Sequence, residues 1–454
     1  MKKKKKKHSK IDLSSICQSF KHHSFLPHSE QSFFSNYTNS WFDLSSTQFT
    51  NNEIQSIQKS NLWKPKENSS LVSYSRKYRF FPTNEQHKIL DSWFFDSTFI
   101  YNKTLKLLKS KMYCKTNDKP SFISIRNELK GVIPGEGKKK REKLTLSDIP
   151  VHVLDCSIKQ AVENYKSALE NWRQKNWKHY RIRYEPYHKK VNKILHIEPA
   201  CFNKNGHITR LGKCNLMDIE TNKPFELIKE NIQREVKIQW NKLDHCYYFI
   251  LSYVKPVKQN ESLKEEFISL DPGVSPFLSG VSKTNGYIIG KEHYHKLKNQ
   301  YGKIDKCESS NISIKKKRKH NERIRRKIKN QIDDMHWKTI CWITSKFHNV
   351  LIGDMSAKGV VEGDDIQKMS KRILHAQRLY QFKQRLQYKC KERNVNYYEV
   401  NEYMTSKTCS CCGEIKEDLG FNKEYICNKC GIKMHRDLNG ARCIYNVWKL
   451  HQKK

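Results

Sequence analysis

No stretch of this chain stays apolar for the ~18 residues that a membrane-spanning helix needs, so no span, and no membrane partner, is expected. Nor does an apolar leader precede the 15 cysteines, which are scattered singly apart from a C-terminal cluster. A disulfide-stapled secreted domain is therefore excluded; a reduced, intracellular protein is expected, nuclear if the host is eukaryotic and otherwise in the cytoplasm or nucleoid. Internal repeats are missing too, so the chain is not a solenoid or a propeller. Negative charge is scarce: 46 Asp and Glu stand against 87 Lys and Arg, a formal net charge of +41. Such an imbalance, spread along the chain, does not suit an enzyme of small neutral metabolites. It fits a polyanionic partner, nucleic acid.

The 454 residues leave room for roughly three domains of ~150 residues each. Residues 1–70 are rich in Ser, Asn, His and Lys and hold no sustained period, so a basic, largely disordered N-terminal region is expected. Its lysine run at residues 2–7 reads equally as an import signal, an RNA-clinging arm or a solvated tail. Residues 74–82 alternate as a strand does, and Thr83-Asn84-Glu85-Gln86 caps a helix through Trp93 to Leu108. A basic linker covers residues 131–143. Over residues 151–177, Ile158, Val162, Tyr165, Leu169 and Trp172 fall at helical spacing as a packing stripe. Lys159, Lys166 and Arg173 lie on the polar side of the same helix, where they suit a phosphate backbone. Trp172, Trp177 and Tyr180 are available for base stacking, with core packing the favoured reading. Residues 184–257 carry shorter, strand-like runs.

The C-terminal half has a sharper pattern. Residues 267–270 form a short strand that delivers Asp271, and a hairpin is expected around Asn285-Gly286. A long basic helix over residues 313–347 bears Lys315, Lys316, Lys317, Arg318, Lys319, Arg323, Arg325 and Arg326, placed to contact phosphates. A strand at 349–354, a helix at 372–393, a strand at 396–400 ending at Glu402 and a helix opening with Asp437 follow. This is the order expected of an RNase H-like α/β domain, with carboxylates at strand ends and a helix start around two divalent ions. Mg²⁺ is hard and takes oxygen ligands; two such ions serve an in-line displacement at phosphorus.

Within that half, Cys409-Ser410-Cys411-Cys412-Gly413 and Cys427-Asn428-Lys429-Cys430-Gly431 are two Cys-x-x-Cys knuckles, each closed by a glycine. The spacing predicts one structural zinc on Cys409, Cys412, Cys427 and Cys430. A set in which Cys411 replaces Cys409 or Cys412 is the alternative, and His435 is a weak candidate because the site is already filled.

The chain resembles the TnpB proteins of insertion sequences and their Fanzor relatives, which are related to type V CRISPR nucleases. The likeness rests on Leu270-Asp271-Pro272-Gly273, on Ile352-Gly353-Asp354-Met355-Ser356, on residues 402–413 and on Arg436-Asp437-Leu438-Asn439-Gly440-Ala441-Arg442. Phe81-Pro82-Thr83-Asn84-Glu85-Gln86 and Tyr101-Asn102-Lys103 add an N-terminal signature, so the likeness runs from about residue 73 to the end. It implies an RNA-guided DNA endonuclease of a transposable element, cutting next to a short adjacent motif at a RuvC-type site. Guide RNA, target double-stranded DNA, one Zn²⁺ and two Mg²⁺ would accompany it, in a monomeric ribonucleoprotein.

Asp271 matches the first RuvC carboxylate and Asp437 the third. Most bacterial members carry Glu where this chain has Gly353; some use a glutamate just before the Thr-Ser-Lys-Thr-Cys run, and Glu402 occupies that place. Two neighbouring strands would let the longer side chain reach the vacated position, which favours Glu402 over Asp354. Asp354, Glu362, Asp364 and Asp365 read as loop or outer charges. The implied layout is a wedge-like β module, β-barrel-like, at 71–85 and 185–258, interrupted by a helical recognition module at 86–184. A RuvC-like nuclease domain follows at 263–402 and 434–450, with an inserted zinc ribbon at 403–433. Two rivals stand beside this reading. One is a catalytically degenerate nucleic-acid-binding regulator, for which Glu402 would be dispensable; the other is a transposase or accessory protein, against which the lack of a recombinase constellation counts.

Overall fold

The computed structural model describes residues 34–38, 71–111, 113, 119–129, 149–176, 182–187, 192–199, 220–221, 235–257, 265–355, 367–402, 405–416, 418 and 422–452, with 34–38 and 220–221 as backbone alone. The lysine run at 2–7, the linker at 131–143, Trp177, Tyr180, Glu362, Asp364 and Asp365 lie outside these residues. The chain divides into two compact units, one of Ser73–Lys255 and one of Met1–Val72 with Pro256–Lys454.

In chain order, β1 is Phe34–Thr38, β2 Leu71–Phe81, α1 Asn84–Ser110, α2 Phe122–Glu128, α3 Val151–Arg173, β3 Lys193–Ile197, β4 Glu220–Thr221, β5 Val236–Asn241 and β6 Cys246–Pro256. The Ser73–Lys255 unit is built on a sheet ordered β3-β5-β6-β2-β4. Helix α1 starts where the sequence places it: Gln86 N–H donates to Thr83 Oγ1 (3.3 Å) and Thr83 N–H to Gln86 Oε1 (2.9 Å), a reciprocal cap. One sheet face, with Val236, Ile238, Tyr247, Phe249 and Leu251, is buried against Leu90, Trp93 and Leu105 of α1 and the Ile158, Val162, Tyr165 and Leu169 stripe of α3. Trp172 packs part-buried against this core. The strands form an open row, so the expected barrel is not closed among the described residues.

The remaining elements are β7 (Glu265–Pro272), β8 (Leu278–Ser282), β9 (Asn285–Ile289), α4 (Lys291–Ser309), α5 (Ile314–Lys346), β10 (Phe347–Gly353), α6 (Lys368–Gln377), α7 (Leu379–Glu392), β11 (Asn396–Val400), β12 (Glu424–Ile426), β13 (Lys433–His435) and α8 (Arg436–Gln452). They form a sheet ordered β1-β9-β8-β7-β10-β11. The first strands run antiparallel as a meander; β10 lies parallel to both β7, with Ile352 opposite Leu270, and β11, with Gly353 opposite Val400. Parallel neighbours need crossovers. Helices α4 and α5 supply one and α6 and α7 the other, so β7, β10 and β11 all end at the same edge of the sheet. Phe267, Ile268, Ser269 and Leu270 of β7 are all buried, the unbroken pattern of a strand covered on both faces. Helix α8 provides part of that cover: Ser269 Oγ donates to Ala441 O (2.7 Å), and the Phe267 and Tyr445 rings stack at 4.0 Å.

Two local expectations are corrected here. The β8–β9 connection is Lys283-Thr284, and Asn285 and Gly286 already belong to β9, with Asn285 N–H held by Ser282 Oγ at 3.2 Å. The helix expected at 372–393 is two, broken at Arg378, whose φ of 49° is left-handed. Strand β1 was not among the expected elements; it pairs antiparallel with β9 from Phe34 to Thr38, a backbone pairing that needs no hydrophobic period to announce it.

Candidate active site and metal centre

Three segments converge at the C-terminal ends of β7, β10 and β11. Asp271 closes β7, Glu402 lies two residues past β11, and Asp437 is the second residue of α8. All three line a cleft of about 750 Å³, together with Arg436, Met355 and Tyr294. Residues distant in sequence are thus brought together by strand ends and a helix start.

Two glycines make the arrangement possible. A Cβ built on Gly353 would lie 1.4 Å from Glu402 Oε1, so the Glu402 carboxylate fills the space that any side chain at 353 would take. A Cβ on Gly440 would lie 2.3 Å from Asp271 Oδ2, so α8 can approach Asp271 only with a bare backbone there. Asp354 does something different. Its Oδ1 accepts from Glu402 N–H (3.0 Å) and its Oδ2 from Asn401 Nδ2 (3.1 Å), while its own N–H reaches Val400 O (2.8 Å). Both carboxylate oxygens are committed to holding the segment that carries Glu402, and Asp354 does not line the cleft.

Burial pushes the Asp271 carboxyl well above its usual range; the nearby Glu402 and Asp437 charges push the same way, and Arg436 opposes them. Burial also pushes Glu402 up to about 7, against the attraction of Lys383 and with repulsion from Asp354. Glu402 Oε1 is a buried oxygen without a hydrogen-bond donor among the described residues. Crowded, desolvated carboxylates with an orphaned oxygen are what a hard divalent cation would satisfy, so the residues present fit Mg²⁺. Loop geometry supports the site: Gln377 Nε2 donates to Val274 O (3.0 Å) just past Asp271, and a Cβ on Gly273 would meet Pro276 O at 2.8 Å.

The cysteine cluster is formed in the segment that leads into α8. One ligand atom from each of Cys409, Cys412, Cys427 and Cys430 lies within 4.8 Å of every other. Cys409 and Cys430 sulfurs are 3.6 Å apart and those of Cys412 and Cys427 3.5 Å, close to the ~3.8 Å edge of a tetrahedron with zinc–sulfur bonds of ~2.3 Å. Gly413 and Gly431 both have positive φ, 78° and 70°, which lets each knuckle close with Gly413 N–H on Cys409 O and Gly431 N–H on Cys427 O, both 3.0 Å. Cys411 is buried but stands outside the cluster, so the alternative ligand sets are not formed. His435 instead accepts from Asp437 N–H through Nδ1 at 3.3 Å.

The cationic residues fall into two groups. On α5, Lys315, Lys316, Arg318, Lys319, Arg323 and Arg325 are exposed, whereas Lys317 and Arg326 are half-buried and Lys317 Nζ is held by Glu308 O at 2.6 Å. On α3, Lys159 and Lys166 are exposed, and Arg173 is engaged with Tyr113 O at 3.2 Å. Arg436 in the cleft and the Gly440 cradle escaped sequence reasoning, whereas Asp354 was expected only as an outer charge, without the backbone it holds. Both missed residues sit inside the Arg-Asp-Leu-Asn-Gly motif, which could have flagged them.

Two families match parts of the chain: residues 380–444 match one described as Cas12f1-like, TNB domain, and residues 72–116 one described as a helix-turn-helix domain. In the structure the latter stretch is strand β2 and the single long helix α1. A Streptomyces pristinaespiralis protein named as a candidate RNA-guided DNA endonuclease is 22% identical over 82% of this chain and 89% of its own. The solved Cas12f1-sgRNA-target DNA complex aligns with 83% of this chain and 99% of that one, at 13% identity and a TM-score of 0.48. Among Acanthamoeba polyphaga mimivirus proteins, TnpB-like protein L770 is 30% identical over 93% of this chain and 85% of its own length. No helix among the described residues is long and apolar enough to cross a membrane. Aligned with such a relative along nearly its whole length, the chain belongs to the TnpB-like protein family.

Proposed function

We propose that the protein is an RNA-guided DNA endonuclease whose reaction centre is the carboxylate set Asp271, Glu402 and Asp437. The observation that carries this reading is the Glu402 carboxylate seated in the space left open by Gly353, beside Asp271 and in one cleft with Asp437. The order β9-β8-β7-β10-β11, three antiparallel strands followed by two parallel ones, is that of an RNase H-like nuclease, and carboxylates at the ends of its middle strands suit phosphodiester hydrolysis.

Asp271, Glu402 and Asp437 would hold two Mg²⁺ ions. When bound, these supply an activated water and charge relief at the leaving oxygen in an in-line displacement. The chain's own part is positional. Asp354 fixes the backbone of Glu402, Gly353 and Gly440 leave room for the two carboxylates, and Arg436, whose Nε lies 3.4 Å from Asp437 Oδ1, balances their charge while the site is empty of substrate. Cys409, Cys412, Cys427 and Cys430 would hold a structural Zn²⁺. Guide RNA and target DNA are supported by the name of the Streptomyces relative and by the +41 charge. The exposed cations of α5 would lie on nucleic-acid phosphates, with a monomer around one RNA as the assembly.

The test is to purify the protein from cells carrying its native flanking DNA, sequence the RNA that stays bound, and offer duplex DNA matching its variable end. Mg²⁺-dependent cutting of matched but not unmatched duplex is expected. A mixture of unrelated RNAs with no cutting would contradict the proposal and favour a nucleic-acid-binding regulator.

A further inference from the structure

Phe95, Asn102, Lys106 and Lys109 follow one another along α1 at steps of seven, four and three residues, which places them on one face of the helix. Across that face lies the segment 182–187, held there by its backbone. Asn102 grips Glu185 twice, accepting from its N–H through Oδ1 (2.8 Å) and donating through Nδ2 to its carbonyl (2.9 Å). Lys109 Nζ donates to Ile182 O (2.9 Å), and Lys193 Nζ donates to Pro186 O. Asn102 and Lys193 are both buried, so desolvated polar groups are committed to fixing this segment. What it presents is aromatic: Tyr184 is 50% exposed and Tyr187 45%, beside Phe95 at 50%.

Half-exposed rings gathered on one face mark a contact surface. They form two stations. At one, Lys109 Nζ lies 3.9 Å from the centre of the Tyr184 ring; at the other, the Phe95 and Tyr187 rings meet with centroids 5.1 Å apart and planes tilted by 37°. The surrounding charge is mainly positive. Lys103, Lys106 and Arg183 are exposed beside Lys109. Of the nearby carboxylates, Glu185 lies 3.9 Å from Lys193 Nζ, Asp96 is buried, and Asp91 is turned to His87 (3.4 Å) and the Tyr247 hydroxyl (3.3 Å). An acidic partner is therefore favoured, and a second copy of this face would set like charges against each other.

Rings beside cations suit a nucleic-acid strand whose bases are unpaired, because every base has a face to stack and a phosphate to neutralise. Paired bases hide those faces in the duplex. Target DNA arrives as a duplex, whereas a single RNA chain is unpaired wherever it does not fold on itself. Resting on the RNA partner of the proposed function but on none of its cutting chemistry, we infer that unpaired RNA bases stack on Tyr184 and on the Phe95–Tyr187 pair, with Lys106 and Arg183 on the adjoining phosphates.

Oligouridine bearing 5-iodouridine, which crosslinks under light to rings it stacks on, tests this with the full-length protein and mapping by mass spectrometry. Crosslinks at Phe95, Tyr184 or Tyr187 are expected, and duplex RNA of the same length should not compete for them. Affinity for unmodified oligouridine should fall about tenfold or more in Tyr184→Ala/Tyr187→Ala, the loss of stacked bases, and be kept in Tyr184→Phe/Tyr187→Phe, which retains the rings. The slope of affinity against salt should be the same in the alanine variant, since no phosphate contact is removed. Both variants change exposed side chains, and a thermal melt checks that they fold. Crosslinks confined to other residues, or equal affinity in the alanine and phenylalanine variants, would overturn the inference. An alanine variant that altered only the oligomeric state would overturn it too, and assign the rings to a contact between copies. Neither readout needs Mg²⁺ or cleavage: RNA binding without these crosslinks removes this inference alone, and crosslinks without cutting remove only the endonuclease reading.

Discussion

At the scale of single residues, Gly353 and Glu402 are two halves of one feature. The backbone of β10 comes so close to the Glu402 carboxylate that the smallest side chain would displace it, with a Cβ 1.4 Å from Oε1. Gly353→Ala is therefore expected to leave the fold intact and lower Mg²⁺-dependent cleavage by about a hundredfold, because displacement of a catalytic group by ~1 Å is enough for such a loss. Cleavage rate beside a thermal melt checks this; unchanged cleavage would mean that Glu402 does not work from the seat seen here. Glu402 was legible in the sequence as the carboxylate before Thr-Ser-Lys-Thr-Cys. Asp354 was legible as an outer charge; the backbone it clamps and the close approach at Gly440 were not, because they depend on side-chain direction and helix packing, which sequence spacing does not fix.

At the scale of elements, α5 is pinned to α6 and α7 by a buried polar network. His336 is fully buried, donates through Nε2 to Gln377 O (2.9 Å) and accepts from Arg385 Nη1 (3.1 Å). Asp333 would be raised by burial, but hydrogen bonds from Arg385 and Lys329 and the Arg378 charge bring it below its usual range. Burial first, and then Arg385, lower His336 to about 4. An unfolded histidine takes up its proton near pH 6.5, so this stability is fully present above that pH and is lost as pH falls toward 4, up to ~3 kcal/mol. A melting temperature that declines over this window, with a shallower decline in His336→Gln, is the expected outcome of a pH series; identical slopes would contradict it.

The ribbon is tied to the same sheet through α8. Asn439 donates to Thr408 O (2.6 Å) and accepts from Ser410 N–H (2.9 Å), and Asn446 donates to Ser410 O (3.1 Å), so the first knuckle is anchored on the helix that carries Asp437. Stripping zinc with a strong chelator, and then restoring Mg²⁺, should cost at least tenfold in cleavage and lower the melting temperature. Full activity of a demonstrably zinc-free protein would uncouple ribbon from site. The helices and the four-cysteine cluster were legible as elements, from caps, charge runs and cysteine spacing. Strand β1 and the break at Arg378 were not, since one is set by backbone pairing and the other by a single left-handed residue.

At the scale of the whole molecule, the charge of +41 sets how nucleic acid is held. Phosphate neutralisation releases counterions, so RNA affinity should fall steeply with salt, by ~10³ between 50 and 200 mM if 6 or more phosphates are engaged. Replacing Arg323 and Arg325, both exposed on α5, with Gln should flatten the salt slope by about two. A slope that does not change would place the nucleic acid elsewhere. Charge declared the partner class in the sequence, but it could not separate cations that face solvent from Arg173 and Lys317, which the fold spends on carbonyl oxygens.

The most direct measurement is the rate of Mg²⁺-dependent cutting by three RNA-loaded proteins: the unaltered chain, Glu402→Gln and Asp354→Asn. Loss of cutting in Glu402→Gln, with a smaller defect in Asp354→Asn, is expected if Glu402 is the second carboxylate of the site and Asp354 its clamp. Intact cutting in Glu402→Gln together with none in Asp354→Asn would contradict it.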